Sequence, residues 1–268
     1  MIRRGIRAVL FDLDGTLLIN DMESFGPHYF KALLTKFRRL CPRTTGYLGP
    51  DQLFASALQI ATRAMWLNDG SSGTNADVFW AEFFPRIGRE PEELMPLFEE
   101  FYAHDFESLR KHTSRDPDAH PLVSLAFGRG YQVAIATQPM FPMAANLARL
   151  RWAGVSAEEF HYDYIASYET MTACKPHPRF FAELLERLGR VPQECLMVGD
   201  SLEADMPAGQ LGLRTFWVNR WQRDEPPLPA YDAHGTLRDL IELIETGRMD
   251  APELRGMDAP ELWGTGAL

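Results

Sequence analysis

The 268-residue sequence predicts an α/β fold: a parallel sheet covered by helices on both faces, with an all-helical block inserted after the first strand. Two patterns carry the prediction. Short apolar runs alternate with amphipathic helical stretches, as when parallel strands are joined through helices. Between about residues 20 and 115 the alternation stops, and only helical patterns remain.

Arg7-Ala8-Val9-Leu10-Phe11 opens the series, with the apolar continuity of a strand buried on both faces. It runs into Asp12-Leu13-Asp14-Gly15-Thr16, where the glycine permits a turn. Residues 22–40, 50–67, 76–87 and 91–111 then read as helices, joined by connectors such as Gly70-Ser71-Ser72-Gly73. Aromatic residues from Phe79 to Tyr102 recur there at helical spacing and read as packing within the block. Asp116-Pro117-Asp118 reads as a hinge that returns the chain to the sheet. Further strands are expected at 133–137, 164–167, 195–200 and 215–218, with helices at 143–152, 179–188, 203–211 and 236–245. In such sheets ligands bind beyond the C-terminal strand ends, and Asp12, Thr137 and Asp200 close their strands at that edge. The expected organisation is a core of residues 1–19 and 116–247, a helical cap over the strand ends at 20–115, and a C-terminal tail at 248–268. In the tail, Met249-Asp250-Ala251-Pro252-Glu253-Leu254 recurs as residues 257–262, two copies being too few for a solenoid.

Composition narrows the partners. A hydrophobic share of 46% with 24% charged residues is that of an ordinary globular protein. The net charge of −10 repels nucleic acid and anionic membranes, so neither is an expected partner, and a phosphate site must supply its own cations. Cys41, Cys174 and Cys195 form no CxxC pair, which argues against a disulfide framework or a zinc site. No apolar run has signal-peptide or membrane-spanning length, so a cytoplasmic setting is expected. Monomer and homodimer stay equally open.

The chemistry lies in a few polar residues. Asp12 and Asp14 stand two apart at a strand end. One carboxylate can attack phosphorus while the other protonates the leaving oxygen and then deprotonates water. Asp-Gly is also a common turn pair, so these two acids alone support either reading. Asp200 ends a strand and Asp205 follows five residues later. Carboxylates from neighbouring strands can hold Mg²⁺, although Asp205 could equally complement a helix N-terminus. Thr137, with the backbone beside it at Gln138, can receive a phosphate oxygen or simply cap a helix. Lys175 is one of few lysines, set in the rigid Cys174-Lys175-Pro176-His177-Pro178, and its charge can offset phosphate and carboxylates alike.

Taken in order, Phe11-Asp12-Leu13-Asp14-Gly15-Thr16-Leu17-Leu18, Thr137, Lys175-Pro176 and Gly199-Asp200-Ser201 through Asp205 resemble the haloacid dehalogenase superfamily. The resemblance spans roughly residues 6–20 and 120–245. It implies a Rossmann-like core, Mg²⁺ as cofactor, and hydrolysis of a small phosphorylated metabolite through an aspartyl-phosphate. By the same resemblance Asp12 is the nucleophile and Asp14 the general acid/base. Thr137, Gln138 and Lys175 surround the phosphoryl group, and Lys175 also restrains Asp12. The metal falls to Asp12, the backbone carbonyl of Asp14 and Asp200, with Asp205 acting through water. The helical insertion resembles the family's helical cap. Gln138 stands where Asn is more usual, and Asn20 where an acid or hydroxyl often stands, departures that bear on substrate identity. A phosphomutase, a dehalogenase and a non-enzymatic binding protein on the same fold are the alternatives. Asp14 argues against the dehalogenase, whose branch characteristically lacks that second acid, and retention of every catalytic group argues against a mere binder.

Overall fold

The computed structural model of the chain describes residues 5–40, 49–221, 231–248 and 257–258. Cys41 and the first copy of the tail repeat, residues 249–254, fall outside them.

The first strand, β1 (Ala8–Phe11), is buried at every position. After it, β2 (Leu18–Ile19) pairs antiparallel with β3 (Ser114–Arg115), so the two chain segments that bracket the helical block are tied by a short ribbon. Between them run α1 (Met22–Leu40), α2 (Pro50–Trp66), α3 (Asn75–Ile87) and α4 (Pro91–Glu100). Among the described residues no strand lies between β2 and β3, but β3 itself falls at the end of the expected 20–115 block. A single helix over 91–111 does not form. The chain instead passes from α4 through a π-helical turn, Phe101–Asp105, into a 3₁₀ segment, Phe106–His112. The widened turn brings Glu100 and Asp105, five residues apart, onto one side, where both reach Lys36 Nζ at 2.7 and 2.8 Å.

The sheet resumes with α5 (Ala119–Gly128), β4 (Gln132–Ile135), α6 (Met143–Ala153), β5 (Tyr164–Ile165), α7 (Pro178–Leu188), β6 (Cys195–Gly199) and β7 (Arg214–Val218). The helix expected at 203–211 is only a 3₁₀ segment, Met206–Leu211, in which Pro207 removes a backbone donor. After it come β8 (Ala233–Gly235), α8 (Leu237–Glu245) and β9 (Met257–Asp258). Sequence did not suggest β8, whose Ala-His-Gly carries no apolar run. Thr236 caps α8 through a reciprocal pair with Asp239.

All pairings in the main sheet are parallel, in the order β5-β4-β1-β6-β7-β8-β9, and its helix-covered form is Rossmann-like. Alternate residues of β1 serve different cores. Val9 and Phe11 join a cluster with Leu122 of α5, Leu150 of α6 and Leu240 of α8, which is continuous with Phe54 and Phe83 of the helical block. Ala8 and Leu10 face Phe180 and Leu184 of α7. The chain leaves β1 to build one side of the sheet and returns to build the other. The strand order therefore reverses at β1, which is where a doubly wound sheet opens a crevice.

Candidate active site

Register brings the predicted residues to one edge. Phe11 is level with Ile135 on one side and Val198 on the other. The residues that follow, Asp12, Thr137 and Asp200, therefore emerge together at the C-terminal ends of three adjacent strands. Asp12 stays in the ladder through its N–H, which donates to Val198 O at 2.9 Å. Gly15 has φ +84°, and a Cβ there would overlap the Asp200 carboxylate. Only glycine meets both demands, so the turn after Asp14 is fitted against Asp200.

Lys175 is the centre of the arrangement. It is 2% exposed, and its Nζ donates to Asp12 Oδ1 at 2.7 Å and to Asp205 Oδ1 at 2.6 Å. Burial by itself would push this ammonium toward neutrality, but Asp12 and Asp205 outweigh it and hold the proton more firmly than usual. The other oxygen of Asp205 accepts from Ser201 N at 3.1 Å, and the absence of a side chain at Gly199 leaves room for it. Asp200 accepts from Trp221 Nε1 at 3.0 Å, and its carbonyl accepts from Trp217 Nε1 at 3.0 Å.

Asp12, Asp200 and Asp205 each offer a carboxylate oxygen within 4.8 Å of the others. Burial pushes the Asp12 carboxyl up to about 7, with Lys175 pulling the other way. Burial and the charge of Asp12 push Asp200 up to about 6, and burial raises Asp205. One ammonium does not compensate three enclosed carboxylates. An all-oxygen donor set with surplus negative charge fits a hard divalent cation such as Mg²⁺.

Two residues sit differently from their simplest expectation. The Asp14 side chain stands outside the acidic trio: it is ion-paired with the fully buried Arg149 and accepts from Asn20 Nδ2 at 2.7 Å. The Gln138 amide is committed to the main chain of Lys175, accepting from its N–H at 2.8 Å and donating to its carbonyl at 3.0 Å. Thr137 is buried beside this loop.

Sequence reasoning missed Arg149, Trp217, Arg220 and Asn75. Arg149 carried a readable signal, since Asn146 and Arg149 occupy helix positions spaced like the apolar residues Ala145, Ala148 and Trp152. Arg220 donates to the carbonyls of Gly15 and Thr16 at 2.8 and 2.7 Å and pairs with Asp116 at 2.6 Å. Asn75, at the start of α3, donates to Pro139 O at 3.1 Å and Ala173 O at 3.4 Å, each next to a site residue's loop. Neither position departs from an ordinary surface or cap pattern in the sequence.

The family model described as haloacid dehalogenase-like hydrolase matches residues 6–212. A phosphoserine phosphatase of Thermus thermophilus is 27% identical over 258 residues, covering 88% of this chain and 98% of that protein. Among solved structures, a HAD phosphatase from Thermococcus onnurineus superposes with a TM-score of 0.55 at 24% identity, covering 89% of this chain and 98% of the other. A 2-haloacid dehalogenase from Pseudomonas syringae gives 0.60 at 19% identity, with 90% and 99% covered. The two structural likenesses concern the fold alone.

Proposed function

The chain belongs to the haloacid dehalogenase-like hydrolase family, and from that premise we propose that it hydrolyses a small-molecule phosphomonoester through a phosphorylated Asp12, with Mg²⁺ as cofactor. The observation that carries this reading is the buried Lys175 bridging Asp12 and Asp205 beside Asp200. A nucleophile, a fixed cation and a cation-hungry acid cluster share one strand edge, which is the equipment phosphoryl transfer requires.

Asp12, Asp200 and the backbone carbonyl of Asp14 would hold the metal, with Asp205 behind them. When bound, Mg²⁺ supplies positive charge against the phosphate oxygens and the crowded carboxylates. The chain's own groups then divide the work. A carboxylate oxygen of Asp12 attacks phosphorus and the bond to the leaving oxygen breaks, while Asp14 passes its proton to that oxygen. In the second half Asp14 takes a proton from water, whose oxygen attacks phosphorus, releases inorganic phosphate and restores Asp12. Thr137 Oγ1 and Lys175 Nζ receive phosphoryl oxygens, Lys175 exchanging part of its contact with Asp12. Gln138 offers the phosphate its backbone while its side chain holds Lys175. To reach the leaving oxygen, Asp14 must loosen its pairing with Arg149 and Asn20. Residues 20–115 serve as the cap that excludes water from this edge.

A dehalogenase of the same fold needs neither a second acid nor a metal, so both Asp14 and the acidic trio speak for phosphate. The relative's printed activity, phosphoserine hydrolysis, agrees with the reaction class. The test is 4-nitrophenyl phosphate hydrolysis with and without Mg²⁺, in wild type and Asp12→Asn. Activity is expected to require the metal and to fall roughly 1,000-fold or more in the variant. Metal-dependent turnover that survives Asp12→Asn would refute the assignment.

A further inference from the structure

An apolar cavity of about 200 Å³ lies where the helical block meets the loop after β4. Its walls include Met65 of α2, Trp80 of α3 and Phe141 of the loop that carries Thr137 and Gln138. No charged side chain lines it among the described residues, and the hydroxyls of two lining residues, Tyr29 and Tyr102, are hydrogen-bonded to each other at 2.7 Å. Burial raises both phenols, Tyr29 to about 12, so the pair stays neutral.

The cavity lies next to both partners of the candidate acid/base. Arg149, the ion-pair partner of Asp14, lays its guanidinium 4.3 Å from the centre of the Phe141 ring. Asn20, the other partner of Asp14, also donates to Met22 Sδ at 3.5 Å. Met22 and Phe141 are both cavity walls. Each of the two side chains that hold Asp14 is therefore in contact with a wall of the cavity.

Resting on the phosphomonoesterase reading above, we propose that this cavity receives the organic half of the substrate, and that this half is apolar and about the size of one aromatic ring. A dry apolar cavity of about 150 Å³ is known to admit benzene, so the volume suffices. Aromatic walls and a thioether suit a ring by edge and face contact. The ammonium and carboxylate of a phosphoserine-like ester would be buried here without charged partners, as would a second phosphate, because no lining side chain among the described residues is charged. The preference thus departs from that of the phosphoserine-hydrolysing relative.

Benzyl phosphate, glycerol 3-phosphate and phosphoserine are all esters of primary alcohols, so their leaving groups are chemically matched. With Mg²⁺, kcat/KM for benzyl phosphate is expected to exceed that of either polar ester at least tenfold. Thr62→Phe, which fills the cavity from α2, should cut that ratio severalfold or more. Equal or better turnover of the polar esters would overturn the proposal while leaving the phosphatase reading intact. If no ester is hydrolysed, the phosphatase reading falls, and calorimetric titration of Asp12→Asn protein with benzyl and glycerol phosphates decides the cavity alone. Tenfold tighter binding of the benzyl ester supports the apolar subsite; equal or weaker binding refutes it.

Discussion

Gln138 shows how one side chain can serve a site it does not enter. Its amide closes two hydrogen bonds on the main chain of Lys175, fixing the residue whose ammonium bridges Asp12 and Asp205. Gln138→Leu keeps the bulk and removes both partners. Each orphaned backbone group costs about 1–3 kcal/mol where water cannot reach it. Chemical denaturation should register that loss, and KM for any phosphate ester should rise because Lys175 is no longer held. Unchanged stability and KM would show that the loop is fixed by its prolines instead. Arg149 has the complementary task at Asp14. A fully buried guanidinium is tolerable only because a carboxylate, Asn146 and the Phe141 ring surround it.

At the scale of elements, the loop after β1 is shaped from outside. Arg220, just past β7, holds the carbonyls of Gly15 and Thr16 and the carboxylate of Asp116, so one side chain joins the turn after Asp14 to the segment read as a hinge. Arg220→Met deprives all three groups of their charged donor. Hydrogen bonds to a charged group are worth about 1.5–3 kcal/mol, so a loss of about 3 kcal/mol or more is expected in urea unfolding. kcat should drop with it, because Gly15 is the residue whose turn accommodates Asp200. A variant with unchanged stability and turnover would remove Arg220 from any positioning role. The broken helix after Glu100 has a related logic. Its π-helical turn gives up regular hydrogen bonding and gains a common cation, Lys36, for two acids.

Across the whole molecule, the helical block and the sheet are joined by more than the β2–β3 ribbon. Asn75 binds the loops of both Pro139 and Ala173, the Asn75 and Ala76 N–H groups donate to Met171 O and Tyr168 O, and Asp69 bridges to Ala173. Any swing of the block about 116–118 has to break this set. Metal binding is a second molecule-wide quantity. A ligand at 100 times its Kd stabilises the native state by about 2.7 kcal/mol. For a chain of this length that is a rise in Tm of roughly 5–10 °C. Thermal unfolding should show that rise with Mg²⁺ in wild type and lose most of it in Asp200→Asn. An equal shift in both proteins would place the metal elsewhere.

The sequence by itself determined the sheet, the inserted helices and the candidate residues: Asp12, Thr137 and Asp200 because each closes an apolar run whose period fixes where a strand ends, and Asp14, Lys175 and Asp205 because their residue types, in that order along the chain, resemble the family's pattern. Strand period and strand ends are local properties, written in neighbouring residues. What joins those ends is not local. The Lys175 ammonium meets Asp12 across 163 positions and Arg149 meets Asp14 across 135, distances at which no pattern in one sequence links two residues. The same holds for Asn75 and Arg220, and for the cavity, whose walls come from helices and loops far apart along the chain. β8 was illegible for a different reason: three residues without an apolar run become a strand only because β7 offers them an open edge. Tertiary structure alone decided which cation serves which carboxylate and which side chains wall the apolar cavity, because both depend on packing between segments that the sequence keeps apart.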